Sequence, residues 1–180
     1  CWFSRFAQPT AHAWALPGEA LPLVQREPKR GETEPALACF GARRQDNGQV
    51  YLYFSPGQPN SEHQWVLISA LLAIARQEGK SVVVIIWDNA SWHLSQRLRQ
   101  WIRAYNQAAK AAGEPRLLVH GLPIKSPWLN PIEPCWVHAK RAVCEPDGDL
   151  SPTELRRRLC THFNTHPLAN LFKLWAPNVH

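Results

Sequence analysis

Residues 126–133 read Ser-Pro-Trp-Leu-Asn-Pro-Ile-Glu, and they are the most informative part of this chain. Each of the two prolines fixes its own φ and restricts the residue before it to extended backbone. Asn130 is a favoured helix-capping residue, and a proline such as Pro131 is favoured at the first helical position. The stretch therefore predicts a rigid loop leading into a helix whose first residue is Pro131, with Glu133 in the first turn.

Glu133 has two interpretations on this pattern. The carboxylate can point into a site and bind a cation, aimed there by the stiff loop. The spacing of Asn130 and Glu133 is also that of a capping box, in which the glutamate only satisfies a backbone N–H at the helix end. The local pattern alone leaves both interpretations open.

A second acid stands at the end of an apolar run. Val82–Trp87 is continuous, apolar and mostly β-branched, which predicts a strand covered on both faces. Asp88 follows directly, where the strand passes into a loop and ligands bind in α/β folds. Because Asp also favours turns for its local hydrogen bonds, a purely structural role is the alternative.

The rest of the chain predicts a mixed sheet flanked by helices. Short strands begin at Cys1 and surround an Asp-Asn-Gly hairpin turn at 46–48, and a loop is predicted at 25–35. Helices follow at 62–78, opened by a capping box at Ser61, and from Ser95 to about Gly113. A strand at 117–122, the helix after Asn130 and a last helix opened by Ser151 complete an α/β order.

Composition narrows the class of protein. The 180 residues and 45% hydrophobic content fit one globular domain, and a net charge of +6 favours polyanionic partners. No apolar run approaches the length of a membrane span, and no secretory leader is evident. Five cysteines without a C-x-x-C pair favour reduced thiols, and zinc binding by His93, His120, Cys135 and His138 is disfavoured by their spacing.

The two acidic segments together carry a family resemblance. Residues 87–93, W-D-N-A-S-W-H, and residues 122–136, L-P-I-K-S-P-W-L-N-P-I-E-P-C-W, are similar to the second and third acidic positions of DDE-type transposases. The resemblance is to the mariner-like group and related bacterial insertion sequences. It covers essentially the whole chain and implies an α/β fold of the RNase H-like, retroviral-integrase-like type.

The resemblance implies a metal site. Asp88 and Glu133 are expected to bind two Mg²⁺ or Mn²⁺ ions together with a first Asp on the opening strand, expected upstream of Cys1. Asp46 is not that acid, because it lies at a hairpin tip. Residues 1–180 are thus expected to be a single catalytic domain that lacks the start of its first strand and any upstream helix-turn-helix domains.

Further residues receive roles from their place beside these acids. Asn89, His93 and Asn130 are expected to orient substrate or support the ligands, with packing as the alternative for His93. The expected DNA contacts are Lys125, Trp128, Lys140 and Arg141. A basic surface formed by Arg99, Arg103 and residues 156–158 is the weaker hypothesis, since such runs are usually solvated faces.

The implied function is DNA cleavage and strand transfer of an insertion sequence by two-metal phosphodiester chemistry. The alternative is a non-catalytic transposase remnant that binds DNA or pairs with intact subunits. DNA, both element ends and target, is the expected partner, and a homodimer is the expected assembly. The expected location is the bacterial cytoplasm, at the nucleoid.

Overall fold

A computed structural model of the chain describes residues 1–6, 17–18, 36–55, 60–90, 93, 95–143 and 148–168. The strands are Trp2–Ser4 (β1), Ala36–Arg43 (β2), Val50–Ser55 (β3), Val82–Trp87 (β4) and Arg116–Gly121 (β5). The helices are Ser61–Gln77 (α1), Gln96–Ala112 (α2), Glu133–Val143 (α3) and Pro152–His162 (α4), with a short 3₁₀ helix at Pro127–Leu129. The loop predicted at 25–35 lies outside the described residues.

β1, β2 and β3 form an antiparallel sheet in that order. The predicted Asp-Asn-Gly turn joins β2 to β3, with Gly48 at φ 75°, a backbone conformation that favours glycine. Arg44 closes the turn by donating from its backbone to Gln49 at 2.8 Å. The hairpin predicted from sequence is therefore confirmed.

α1 packs on both strand groups and connects them. Val66 and Leu67 lie against Phe40 and Tyr53 of the first sheet. On another part of its surface, residues of α1 pack against β4, β5 and α2, in a cluster of Trp65, Ile68, Leu72, Trp87, Leu98, Tyr105, Ala109 and Leu117. The predicted capping box at Ser61 was wrong, because the side chain of Asn60 caps the helix by accepting from the backbone of Glu62 and His63.

β4 and β5 form a separate parallel pair within the described residues, with Val84 opposite Leu118. The prediction that β4 is covered on both faces was wrong. Val84 is 61% exposed and Ile86 55%, whereas the alternate residues Val83 and Ile85 pack towards α1 and α2. The reason is that α3 and α4 pack on the β1–β3 sheet and leave this face of β4 open.

α3 and α4 form the second layer over the β1–β3 sheet. Trp136 of α3 packs edge-on against Phe3 of β1, with ring centroids 5.9 Å apart. α4 is capped by Ser151, as predicted, whereas α3 begins at Glu133 and not at Pro131. The difference arises because residues 131–132 form a turn before the helix starts. No helix among the described residues is long and apolar enough to cross a membrane.

Candidate active site

Asp88 lies directly after β4, at the point where the sheet ends. Its Oδ1 accepts a hydrogen bond from the backbone N–H of Ala90 at 3.0 Å, so part of the structural interpretation is correct. The same oxygen lies 3.6 Å from Nε2 of His93. The Asp88 side chain is still 47% exposed, which leaves it accessible to a ligand.

Glu133 is the first residue of α3. Its backbone N–H donates to the carbonyl of Asn130 at 3.0 Å, which fixes the helix start. Within the described part of the chain, the Glu133 carboxylate accepts no hydrogen bond, so the capping-box interpretation is not supported. Burial raises the pKa of this carboxyl, and the charge of Asp88 raises it further.

One cavity of about 690 Å³ brings these groups together. Its lining includes Asp88, His93, Asn130 and Glu133, which the sequence predicted, and Cys1, which it did not. The two acids therefore line the same cavity although they are far apart in the chain, and the charge of Asp88 acts on Glu133. Among the described residues, no cluster of three or more His, Cys, Asp or Glu side chains with metal-binding geometry is present.

One positive charge partly balances the acidic pair. The ammonium of Lys140 acts to lower the pKa of Glu133, against the larger effects of burial and Asp88.

His93 packs on the strand end that carries Asp88. Its ring lies 4.7 Å from that of Trp87, centroid to centroid. Burial lowers the pKa of His93 more than the Asp88 charge raises it, which favours the neutral imidazole at pH 7. A neutral ring both donates and accepts, so it is suited to orienting a water molecule or a phosphate oxygen.

Asn89 connects the ends of β4 and β5. Its side-chain amide donates to the carbonyl of Leu122 at 2.8 Å, and the N–H of Leu122 donates to Trp87 at 2.8 Å. These two bonds hold the loop after β5 against the strand end that carries Asp88. The hydrogen bond of Asn89 to Leu122 therefore positions the loop after β5.

Comparison with known proteins identifies the family. A family model described as DDE superfamily endonuclease matches residues 4–147. The chain belongs to the DDE superfamily endonucleases. The match includes both Asp88 and Glu133, and it confirms the family predicted from sequence.

Two solved structures share the fold of this DDE endonuclease. One is a Mos1 transposase paired-end complex with left transposon end, at TM-score 0.63, 20% identity and coverage of 96% of this chain and 48% of that one. The other is the Mos1 strand transfer complex, at TM-score 0.58 with the same identity and coverage. The chain thus spans about half the length of these relatives, and the predicted RNase H-like fold is confirmed. A comparison with curated protein sequences gives no match.

The predicted DNA contacts of the DDE endonuclease lie on or near α3. Lys140 and Arg141 are exposed in its last turn, and Lys125 and Trp128 are exposed in the loop before it.

The arginines at 156–158, which carried the weaker DNA-binding hypothesis, already make contacts within the chain. Glu154 accepts from both Arg157 and Arg158, and the Arg156 guanidinium lies 5.8 Å from the centre of the Phe54 ring. These contacts fit the structural alternative for this run of arginines.

The sequence reasoning missed one feature of the site. The cavity extends between β2 and β4 and is lined on its two sides by residues 39–43 and 82–87. β2 has 8 residues and pairs with β3 over six of them, but β1 has only 3 residues and reaches only its first part. No local sequence pattern indicates this cavity, because it lies between two strands that belong to different sheets.

Proposed function

We propose that this chain is the catalytic domain of an insertion-sequence transposase that cleaves DNA at element ends and joins the freed 3′-hydroxyl to target DNA. The observation that carries the proposal is the meeting of Asp88 and Glu133 in one cavity of a DDE superfamily domain. The two solved structures of similar fold support it, since they are transposase complexes, one with a transposon end and one of strand transfer.

The acidic pair fits a hard divalent cation. Carboxylate oxygens are the preferred ligands of Mg²⁺ and Mn²⁺, and Glu133, whose pKa is raised by burial and by the charge of Asp88, gains most from a neighbouring positive charge. In this proposal Asp88 and Glu133 hold two such ions. When bound, the ions activate an attacking oxygen and stabilise the leaving oxygen in phosphodiester displacement.

In this proposal a residue on the N-terminal side of Cys1 supplies a third carboxylate to the site. Cys1 is held at the site by two backbone hydrogen bonds with Cys39, at 2.8 and 2.9 Å. Cys1 lines the same cavity as both acids, so a residue bonded to its nitrogen would adjoin them. The open edge of β2 beyond Cys39 lines the same cavity and offers that segment a strand partner.

Other residues of the chain position substrate and ligands. His93 orients a water or phosphate oxygen beside Asp88, Asn89 fixes the loop after β5, and Asn130 fixes the start of α3 under Glu133. Lys125, Lys140 and Arg141 contact DNA phosphates, which supplies affinity without reading sequence. Residues 1–180 act as one domain in this proposal.

The assembly is proposed to be a homodimer on DNA ends and target, since paired ends have to be brought together before transfer. It would work where the DNA is, at the nucleoid in the bacterial cytoplasm. A non-catalytic remnant that binds DNA or pairs with intact subunits is the second candidate. It is favoured by one fact, that among the described residues no three His, Cys, Asp or Glu side chains form a group that could hold a metal ion.

The experiment measures metal-dependent cleavage of DNA that carries the element ends. It uses the protein with the residues that precede Cys1 and with its end-binding domain. Asp88→Asn and Glu133→Gln should each abolish cleavage in Mg²⁺, because each removes a charged ligand, while Glu62→Gln on exposed α1 surface should leave it intact. The 180-residue chain alone should not cleave. Near-normal cleavage by either site variant would refute the catalytic assignment, and an inactive but folded full protein would favour the remnant.

A further inference from the structure

The segment between β5 and α3, residues 122–130, presents large apolar side chains to solvent. We refer to it as the site loop. Ile124 is 79% exposed and Trp128 is 72% exposed, the highest values among the large hydrophobic residues that the structure describes. Leaving an indole in water forfeits a large hydrophobic gain, so packing within the described residues does not explain Trp128.

Both ends of the site loop are fastened beside the two acids. At its start, Leu122 receives a hydrogen bond from Asn89 and donates one to Trp87, the neighbours of Asp88 on either side. At its end, the Asn130 carbonyl accepts the backbone N–H of Glu133. The 3₁₀ turn is closed by Leu129 donating to Ser126 at 3.1 Å. Trp128 therefore lies on a short, braced loop that runs from one acid to the other.

The charge around the site loop suits a polyanion. Lys125 is exposed at a left-handed φ of 59°, a conformation uncommon for lysine, and lies within the loop itself. Lys140 is close enough to the site to lower the pKa of Glu133. An exposed aromatic ring on a loop that also carries an exposed cation is the arrangement that binds single-stranded nucleic acid, where cations contact phosphates and rings stack on bases.

We propose that the site loop binds an unpaired DNA end, with the Trp128 indole stacked on the terminal base. The inference rests on the proposed function, because it takes DNA as the substrate of this site. A base inside a duplex is covered on both faces and the last pair of a closed end offers only its outer face, so an indole stacks most fully on a terminal base that is unpaired. The loop thereby holds the strand end next to Asp88 and Glu133.

The test compares the affinity of two DNA duplexes for the protein. One has a fully paired end, the other has mismatched last base pairs, and both carry 2-aminopurine at the end as a fluorescent reporter of stacking. Binding is measured in Ca²⁺, with the DNA shown to remain uncut. The protein should prefer the open end by about tenfold, the size of one base–aromatic stack.

Variants separate stacking from charge. Trp128→Ala should remove the preference for the open end and keep binding to the paired end. Trp128→Phe should retain most of the preference for the open end, because its ring can still stack. Leu118→Ala is the matched control, since Leu118 is an exposed apolar residue of β5 outside the site loop. Lys125→Ala should weaken the binding of both DNAs equally.

Three results would overturn the inference. The first is an unchanged open-end preference in Trp128→Ala, and the second is an equal loss in Leu118→Ala. The third is a Trp128→Ala variant that loses self-association but binds both DNAs normally, which would show that the loop contacts a second copy of the chain. The outcome is independent of cleavage: an open-end preference in a protein that never cuts DNA supports the loop's role and counts against the transposase activity.

Discussion

Asp88 and Glu133 are two carboxylates whose charges oppose each other in a partly buried site. Neither has a basic side chain as a direct ion-pair partner among the described residues, apart from the His93 contact to Asp88. The repulsion between the two carboxylates destabilises the folded chain in the absence of a cation, and a bound cation reduces that repulsion.

The raised pKa of Glu133 predicts a definite dependence of stability on pH. Its ordinary value is 4.5, and in the folded chain the pKa is higher. The folded state therefore binds the extra proton, so this group favours folding at low pH, and the contribution is lost as pH rises from 4.5 through the folded value.

Glu133→Gln should accordingly raise the melting temperature of the metal-free chain at pH 7 and have little effect below pH 4.5. Thermal unfolding at the two pH values measures this, with Glu62→Gln as the exposed control. Mg²⁺ should stabilise the parent chain and not the variant. A Glu133→Gln variant that melts lower at pH 7 would show that this carboxylate is held by favourable contacts.

Among the elements, the close packing of α3 on β2 sets the position of Glu133. A Cβ added to Gly41 would overlap the ring of Trp136 and come within 3.1 Å of Ile132, both of which are buried. Ile132 directly precedes Glu133, and Trp136 lies one turn along α3. The glycine therefore permits the approach that brings the helix start to the cavity.

Gly41→Ala should destabilise the chain by about 1–3 kcal/mol, because overpacking forces buried side chains to shift. Denaturant unfolding measures the change. Gly148→Ala is the matched control, since a Cβ there meets nothing within 4 Å, and it should be near neutral. Equal stability of the two variants would mean that the α3–β2 contact is looser than described.

The elements also show which features a sequence can predict. The Asp-Asn-Gly turn, the Ser151 cap, the helix start at Ser95 and the strand before Asp88 are local patterns, and the structure has all of them. The open face of β4 was not predictable from its own residues, because Val84 and Ile86 are as apolar as their partly buried neighbours Val83 and Ile85. Their exposure depends on where α3 and α4 pack, which is a long-range property.

The same distinction applies to the site. Asp88 and Glu133 were found because each ends or begins an element within a recognisable motif. The position of Cys1 beside these acids was not predicted, since it depends on the pairing of β1 with β2. Contacts between distant strands leave little trace in either segment alone.

For the whole molecule, the charge of +6 predicts DNA binding that is salt-dependent and insensitive to sequence. If Lys125, Lys140 and Arg141 each neutralise one phosphate, a fourfold rise in salt should weaken binding roughly fortyfold. Fluorescence anisotropy over a salt series with two unrelated duplexes measures this. Lys140→Ala should reduce the slope by about 0.9. Tight, sequence-selective binding by these 180 residues would contradict the prediction.

The central claim is that Asp88 and Glu133 form one cation site, and binding of Mn²⁺ tests it most directly. Paramagnetic Mn²⁺ broadens NMR signals near its site, so the broadening maps the position of the ion without DNA or turnover. The account predicts selective broadening around Asp88, His93 and Glu133, lost in Asp88→Asn and in Glu133→Gln and kept in Glu62→Gln. Broadening centred elsewhere on the chain, or unchanged in both site variants, would contradict it.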